Sequence, residues 1–159
     1  DIAETGPAIK RIVALRRAEH LSKEALRLNE AQGKGTEGCE SRVEGIRKVG
    51  DEVLRKLALR LTSVSRAADI ICRVGGDEFL VVMVDTDETT AARVADRIRR
   101  AVTESSIGTR EGALPISVSV GCTVRASRDK LPVEALLERA DKALLDSKNA
   151  GRNRVRILS

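Results

Sequence analysis

The 159-residue chain carries 29 Lys and Arg against 24 Asp and Glu, a net charge of +5, and its one aromatic side chain is Phe79. With Phe79 alone, the platforms on which single-stranded nucleic acid stacks are missing, so nucleic acid is not an expected partner. No apolar run approaches the ~20 residues of a membrane span, and Cys39, Cys72 and Cys122 lack the spacing of a zinc or redox motif. The positive charge suits a polyanionic ligand, a nucleoside triphosphate among others.

Ala8 to about Leu28 reads as helix and gives way to the glycine-rich stretch Gly33 to Gly38, and no strong strand is expected before residue 49. Behind Gly50-Asp51, the residues Leu54, Leu57, Ala58, Leu61 and Val64 recur at helical spacing and predict an amphipathic helix ending before Arg66. Two β-rich runs follow, Asp69 to Val74 and Phe79 to Val84, with Gly75-Gly76-Asp77-Glu78 between them, which reads as a hairpin. Val94, Ala95, Ile98, Ala101 and Val102 predict a second helix entered through the cap-like segment Asp87 to Thr90. A loop is expected around Gly108 and Gly112, then a strand from Pro115 to Val124. Pro132 opens a third helix with Leu136, Leu137, Ala140 and Leu144 inward, Gly151 stops it, and Arg154 to Leu158 closes the chain as a strand. This order predicts an α+β fold, a mostly antiparallel sheet flanked by helices, in one domain over residues 1–159.

The acidic turn carries the chemistry. Glycines permit positive φ and close approach of a ligand to the main chain. Adjacent Asp77 and Glu78 at the tip suit Mg²⁺, which takes oxygen ligands and is commonly shared with substrate phosphates. The bland alternative is a hairpin turn that is merely acidic, since Gly and Asp are ordinary turn residues.

Gly75-Gly76-Asp77-Glu78-Phe79 resembles the signature of the GGDEF family of diguanylate cyclases, and further motifs fall at the family's spacing. Arg66-Ala67-Ala68-Asp69 matches the RxxD inhibitory-site motif five residues upstream of the turn. Val49-Gly50-Asp51 matches the Gly-Asp that opens a family helix, and Ser117 to Gly121 matches its S-x-G strand. Asp141 to Asn153 matches the closing pattern, with Leu145 in place of the usual Tyr. The match runs over residues 49–159, leaving 1–48 as a divergent, largely helical segment.

The resemblance implies a fold like that of nucleotide cyclases and polymerase palms. It implies a homodimer in which two GTP molecules, one per subunit, condense to cyclic di-GMP with Mg²⁺ or Mn²⁺. By the same resemblance Asp77 is a metal ligand and Glu78 a metal ligand or base. Gly75 and Gly76 become the main-chain cradle, Asp51 a guanine contact, and Lys148 and Arg152 phosphate contacts. Arg66, Asp69 and Arg97 would form the site where cyclic di-GMP inhibits. A cytoplasmic domain without membrane contact is implied, and a chain beginning at Asp1 is expected to be part of a longer, sensor-bearing protein.

Residues 1–48 depart from the pattern. Counting back from Asp51 without a gap puts Lys34 at the family's metal-ligand Asp and Arg42 at its guanine-contacting Asn. With an insertion, Ala25 to Leu28 becomes the strand, Asn29 the metal position and Lys34 the phosphate Lys. Three readings therefore stand: a working cyclase, a catalytically silent receptor for cyclic di-GMP acting through Arg66, Asp69 and Arg97, or a structural dimerisation module. The cations have bland alternatives as well: Lys148 and Arg152 as partners of a helix dipole, Arg66 and Asp69 as a surface ion pair.

Overall fold

The computed structural model describes residues 11–17, 39–125 and 131–158. A five-stranded sheet runs in the order β2-β3-β1-β6-β7, built from β1 (Arg11–Arg17), β2 (Ile70–Gly75), β3 (Glu78–Met83), β6 (Val118–Val124) and β7 (Val155–Leu158). All its pairings are antiparallel except β6 with β7. A two-stranded ribbon, β4 (Ile107–Thr109) with β5 (Gly112–Leu114), stands beside it. The helices are α1 (Cys39–Ser63), α2 (Glu88–Thr103) and α3 (Val133–Asn149).

The sheet is covered on both faces, which explains why β3 is a nearly unbroken apolar run. Phe79, Val81 and Met83 join Val53, Leu57 and Leu61 of α1 and Val94, Ile98 and Val102 of α2 in the larger core. The alternate residues Leu80 and Val82 meet Leu136 and Ala140 of α3 on the other face. On β6 the same alternation puts Val118, Val120, Cys122 and Val124 toward α1 and α2. Gly121 lies directly beneath α3, where an added Cβ would come within 2.7 Å of the Leu144 Cα and closer still to main-chain atoms of Ala140 and Leu144.

The three predicted helices, the hairpin and the closing strand form, and Asp87 caps α2 by accepting from the Thr90 N–H at 2.6 Å. Three expectations are corrected. The helix expected from Ala8 to about Leu28 does not hold over residues 11–17, which form β1 at the centre of the sheet, and the rest of that span lies outside the described residues. Its apolar run from Ile12 to Leu15 is too short to declare a period, and strands on both sides satisfy its main chain. Gly50-Asp51 does not open α1 but lies inside it. Upstream, Glu44 pairs with Arg47 and Lys48, and Val49 is buried, so the helix carries Gly50 at a cost of about 1 kcal/mol. The stretch expected to be a loop at Gly108 and Gly112 forms the β4–β5 ribbon, and α1 holds it. Lys56 Nζ donates to the Gly108 carbonyl at 2.5 Å, while Glu52 accepts from Lys56 at 3.0 Å and from the Arg110 N–H at 3.3 Å. Of the two alignments for the metal position, Lys34, Asn29 and the strand at 25–28 lie outside the described residues.

Two carboxylates are expected to make the fold acid-sensitive. The Lys56 ammonium and then the Arg110 N–H hold Glu52 below its ordinary pKa of 4.5. At Asp96 burial pushes the pKa up, but Arg99 and Arg100 more than offset it and leave it below the ordinary 3.8. A lowered folded-state pKa contributes stability that is present above the unfolded value and lost as pH falls through the folded one. Thermal unfolding midpoints are therefore expected to fall below about pH 4, and less steeply in a Glu52→Gln, Asp96→Asn double variant. Parallel pH profiles for the two proteins would refute this.

Candidate functional site

The β2–β3 turn is as tight as its residues suggest. Gly75 pairs with Glu78, the register shifts by one residue between Arg73 and Gly75, and Gly76 takes φ +40°. Arg73 Nε donates to the Gly76 carbonyl at 2.8 Å and braces the bend. A Cβ added at Gly75 or Gly76 would meet nothing within 4 Å, so the main chain faces open space that a ligand can enter. Asp77 and Glu78 are both half-buried at the tip.

Several chain segments converge at this end of the sheet. Arg16, near the end of β1, is in register with Glu78 on one side and Ser119 on the other. Ser119 Oγ is buried without a hydrogen-bond partner. The C-terminal end of α3 arrives here too, because the Arg154 carbonyl accepts from the Val120 N–H at 2.9 Å and from Ser147 Oγ at 2.8 Å. Lys148 occupies the last turn of α3. Arg152 follows as the final residue of a Schellman motif, its N–H donating to the Ser147 carbonyl and that of Gly151 to the Lys148 carbonyl, both at 3.1 Å. The acidic turn and both predicted phosphate contacts thus belong to one end of the molecule. Leu145, at the usual Tyr position, is exposed.

Asp51 lies on α1 at a cavity of about 300 Å³ between that helix and the hairpin, lined also by Leu54, Arg55, Ile71, Arg73 and Phe79. Its floor is apolar and its rim carries one acid and two arginines, which suits a flat base with polar edges, at the small end of the ~300–1,000 Å³ of ligand sites. Arg73 carried no signal as a site residue in the sequence, although its place in the alternation before Gly75 put it on the turn.

Arg66 and Asp69 are together, but not as the surface ion pair offered as their bland alternative. The Asp69 carboxylate accepts from the Arg66 main-chain N–H at 2.8 Å, and the Asp69 N–H donates to the Arg66 carbonyl at 3.0 Å. This closes the turn between α1 and β2 and leaves Arg66 exposed. Arg97 lies on α2, in a groove lined also by Arg93, Asp96, Arg100 and Glu104; Arg66 and Asp69 are not among the residues that line it.

As a metal centre, the described residues offer the Asp77–Glu78 pair, and no group of three His, Cys, Asp or Glu side chains is found among them. Mg²⁺ is usually held by one or two carboxylates together with substrate phosphates, so the pair fits a cation that arrives with a triphosphate. The β1 position in register with Glu78 contributes Arg rather than a further acid.

A family model described as "Diguanylate cyclase, GGDEF domain" matches residues 47–154. The response regulator PleD of Caulobacter vibrioides is 46% identical over 109 residues, a stretch covering 67% of this chain and 24% of PleD, so the chain spans about a quarter of that relative's length. Among solved structures, the GGDEF domain of YfiN from Pseudomonas aeruginosa superposes with a TM-score of 0.74 at 24% identity, covering 99% of this chain and 87% of that one, a likeness of fold. The GGDEF domain of DgcB from Caulobacter crescentus, determined in complex with c-di-GMP, gives a TM-score of 0.70 at 26% identity over 98% of this chain and 81% of that one.

Proposed function

Because the chain belongs to the GGDEF family of diguanylate cyclases, we propose that it is a single cyclase domain, residues 1–159, that condenses two GTP molecules into cyclic di-GMP as a homodimer. The observation that carries this is the turn itself: two glycines opening onto empty space next to two half-buried acids. Lys148 and Arg152, at the same end of the sheet, supply the cations a triphosphate requires.

Asp51 accepts from the N–H groups of the guanine edge, with Leu54, Ile71 and Phe79 beneath the ring. The main chain of Gly75 and Gly76 approaches the phosphates, Asp77 and Glu78 hold the Mg²⁺ or Mn²⁺ that accompanies them, and Lys148 and Arg152 offset phosphate charge. When bound, the metal polarises phosphoryl oxygens and stabilises the departing pyrophosphate. In each half-reaction a ribose 3′-oxygen forms a bond to the α-phosphorus of the other GTP, and the bond from that phosphorus to pyrophosphate breaks. The hydroxyl proton passes to a base, for which Glu78 is the candidate. Arg66 and Asp69 bind the product: the planar guanidinium suits phosphate or guanine, and the turn they share holds the carboxylate in place. Arg97 adds a second cation from its own groove.

A second reading is favoured by one observation, Arg16 in register with Glu78. A chain that sets an arginine opposite Glu78 and keeps Arg66 and Asp69 would be a receptor for cyclic di-GMP rather than a source of it. Incubation of the purified chain with GTP and Mg²⁺ separates the two. The cyclase reading predicts cyclic di-GMP with two pyrophosphates per product, and lower activity when cyclic di-GMP is added, relieved in Arg66→Ala. No product, with calorimetric binding of cyclic di-GMP that Arg66→Ala removes, would leave the receptor. No nucleotide binding at all would end both.

A further inference from the structure

The backbone immediately after α3 is unusual. Gly151, Arg152 and Asn153 take φ of +109°, +61° and +45° in succession, and the last two are not glycine. L-residues visit this region at an energetic cost and persist there when surrounding contacts hold them. Those contacts come from both sides. The Arg154 guanidinium occupies the space left by the missing Gly151 side chain, where a Cβ would lie 2.9 Å from its terminal nitrogen, and Arg154 Nε donates to the Arg152 carbonyl at 3.1 Å. From α2, which packs on the opposite face of the sheet from α3, two donors converge on one oxygen: Arg99 at 3.2 Å and Thr103 Oγ1 at 3.1 Å both donate to Asn153 Oδ1. Arg99 is itself held by Asp96, its Nε donating to Asp96 Oδ1 at 2.9 Å, so the clamp has a fixed base. Simple helix termination does not require this arrangement. The Schellman hydrogen bonds of Gly151 and Arg152 already close α3, and they ask nothing of residue 153.

We propose that Asn153 is a positioning residue for Arg152: its amide oxygen, gripped by Arg99 and Thr103 of α2, locks the left-handed turn that aims Arg152 at the phosphates of GTP. The inference rests on the cyclase reading and deepens it, because it explains why Arg152 sits in a strained turn rather than on the helix. Asn is suited to the position twice over, as the residue that best tolerates this backbone region after glycine and as a bearer of the acceptor the clamp needs.

The test uses the whole chain, steady-state kinetics with GTP and Mg²⁺, and calorimetric binding of a non-hydrolysable GTP analogue. Asn153→Gly permits the same backbone conformation at no steric cost and removes the acceptor that holds it. It is expected to stay folded, with an unfolding midpoint at or above that of the parent. The KM for GTP and the Kd of the analogue should rise about tenfold with kcat nearly unchanged, the pattern of lost binding made equally in ground and transition states. Asn153→Asp, which retains an oxygen facing Arg99 and Thr103, should restore both constants. In an Arg152→Ala background Asn153→Gly should have no further effect, since one residue acts through the other. Should Asn153→Gly fail to fold, Thr103→Val removes one donor without touching the turn, and a smaller rise in KM that vanishes in Arg152→Ala is expected. Parent-like KM and Kd in folded Asn153→Gly, or effects of Asn153→Gly and Arg152→Ala that multiply, would overturn the proposal and leave the cyclase reading intact. A parent chain that binds no GTP analogue would overturn both.

Discussion

Asp77→Asn is expected to abolish most cyclic di-GMP formation while leaving the protein folded. Asn has nearly the shape of Asp and is an accepted turn residue, so the bend between β2 and β3 and its brace, Arg73 Nε to the Gly76 carbonyl, survive. The negative charge does not, and with it goes half of the one carboxylate pair at the tip of the turn. Removing a single preorganised group that stabilises transition-state charge costs on the order of 10²–10³ in kcat. A metal for which the described residues offer two acids and no third should stand at the upper end of that range. The measurement is product formation at saturating GTP over a Mg²⁺ titration, beside a denaturation curve for each protein. A rate within about threefold of the parent would mean that the acidic turn is structural.

The second large effect falls on stability. Gly121→Ala introduces one methyl group where the main chain of α3 already stands, against Ala140 and Leu144. A clash with a side chain can be relieved by a change of rotamer. A clash with helix backbone requires the helix to lift off the sheet, disturbing Leu136 and Ala140 in the smaller core and Ser147 at the junction with β7. Overpacking of this kind costs about 1–3 kcal/mol and occasionally more, and about 3 kcal/mol or more is expected here, read as a fall in the denaturant midpoint at unchanged slope. Gly75→Ala is the control. A Cβ there meets nothing within 4 Å, and its stability should change by less than about 0.5–1 kcal/mol. Equal destabilisation by the two variants would show that the contact between α3 and β6 is looser than described.

These two glycines also show what a sequence can and cannot say. Both fall in recognisable motifs, yet Gly75 leaves room for a ligand and Gly121 leaves room for a helix, and only the packed structure distinguishes them. Arg66 and Asp69 make the same point: their spacing was plain, but the carboxylate's partner is a main-chain N–H rather than the guanidinium.

The features legible in the chain were those governed by near neighbours. The acidic hairpin, the capped start of α2 at Asp87 and the glycine that ends α3 each depend on interactions spanning a few residues, which leave their mark in local order. Tertiary structure alone decided the identity of β1, the extension of α1 back through Gly50, the β4–β5 ribbon, the register that sets Arg16 opposite Glu78, and the hold of α2 on Asn153. Each joins segments distant along the chain: β1 takes its partners from residues 78–83 and 118–124, and Asn153 from residues 99 and 103. A short apolar run such as Ile12 to Leu15 satisfies helix and strand almost equally, and the choice passes to whichever distant main chain completes its hydrogen bonds.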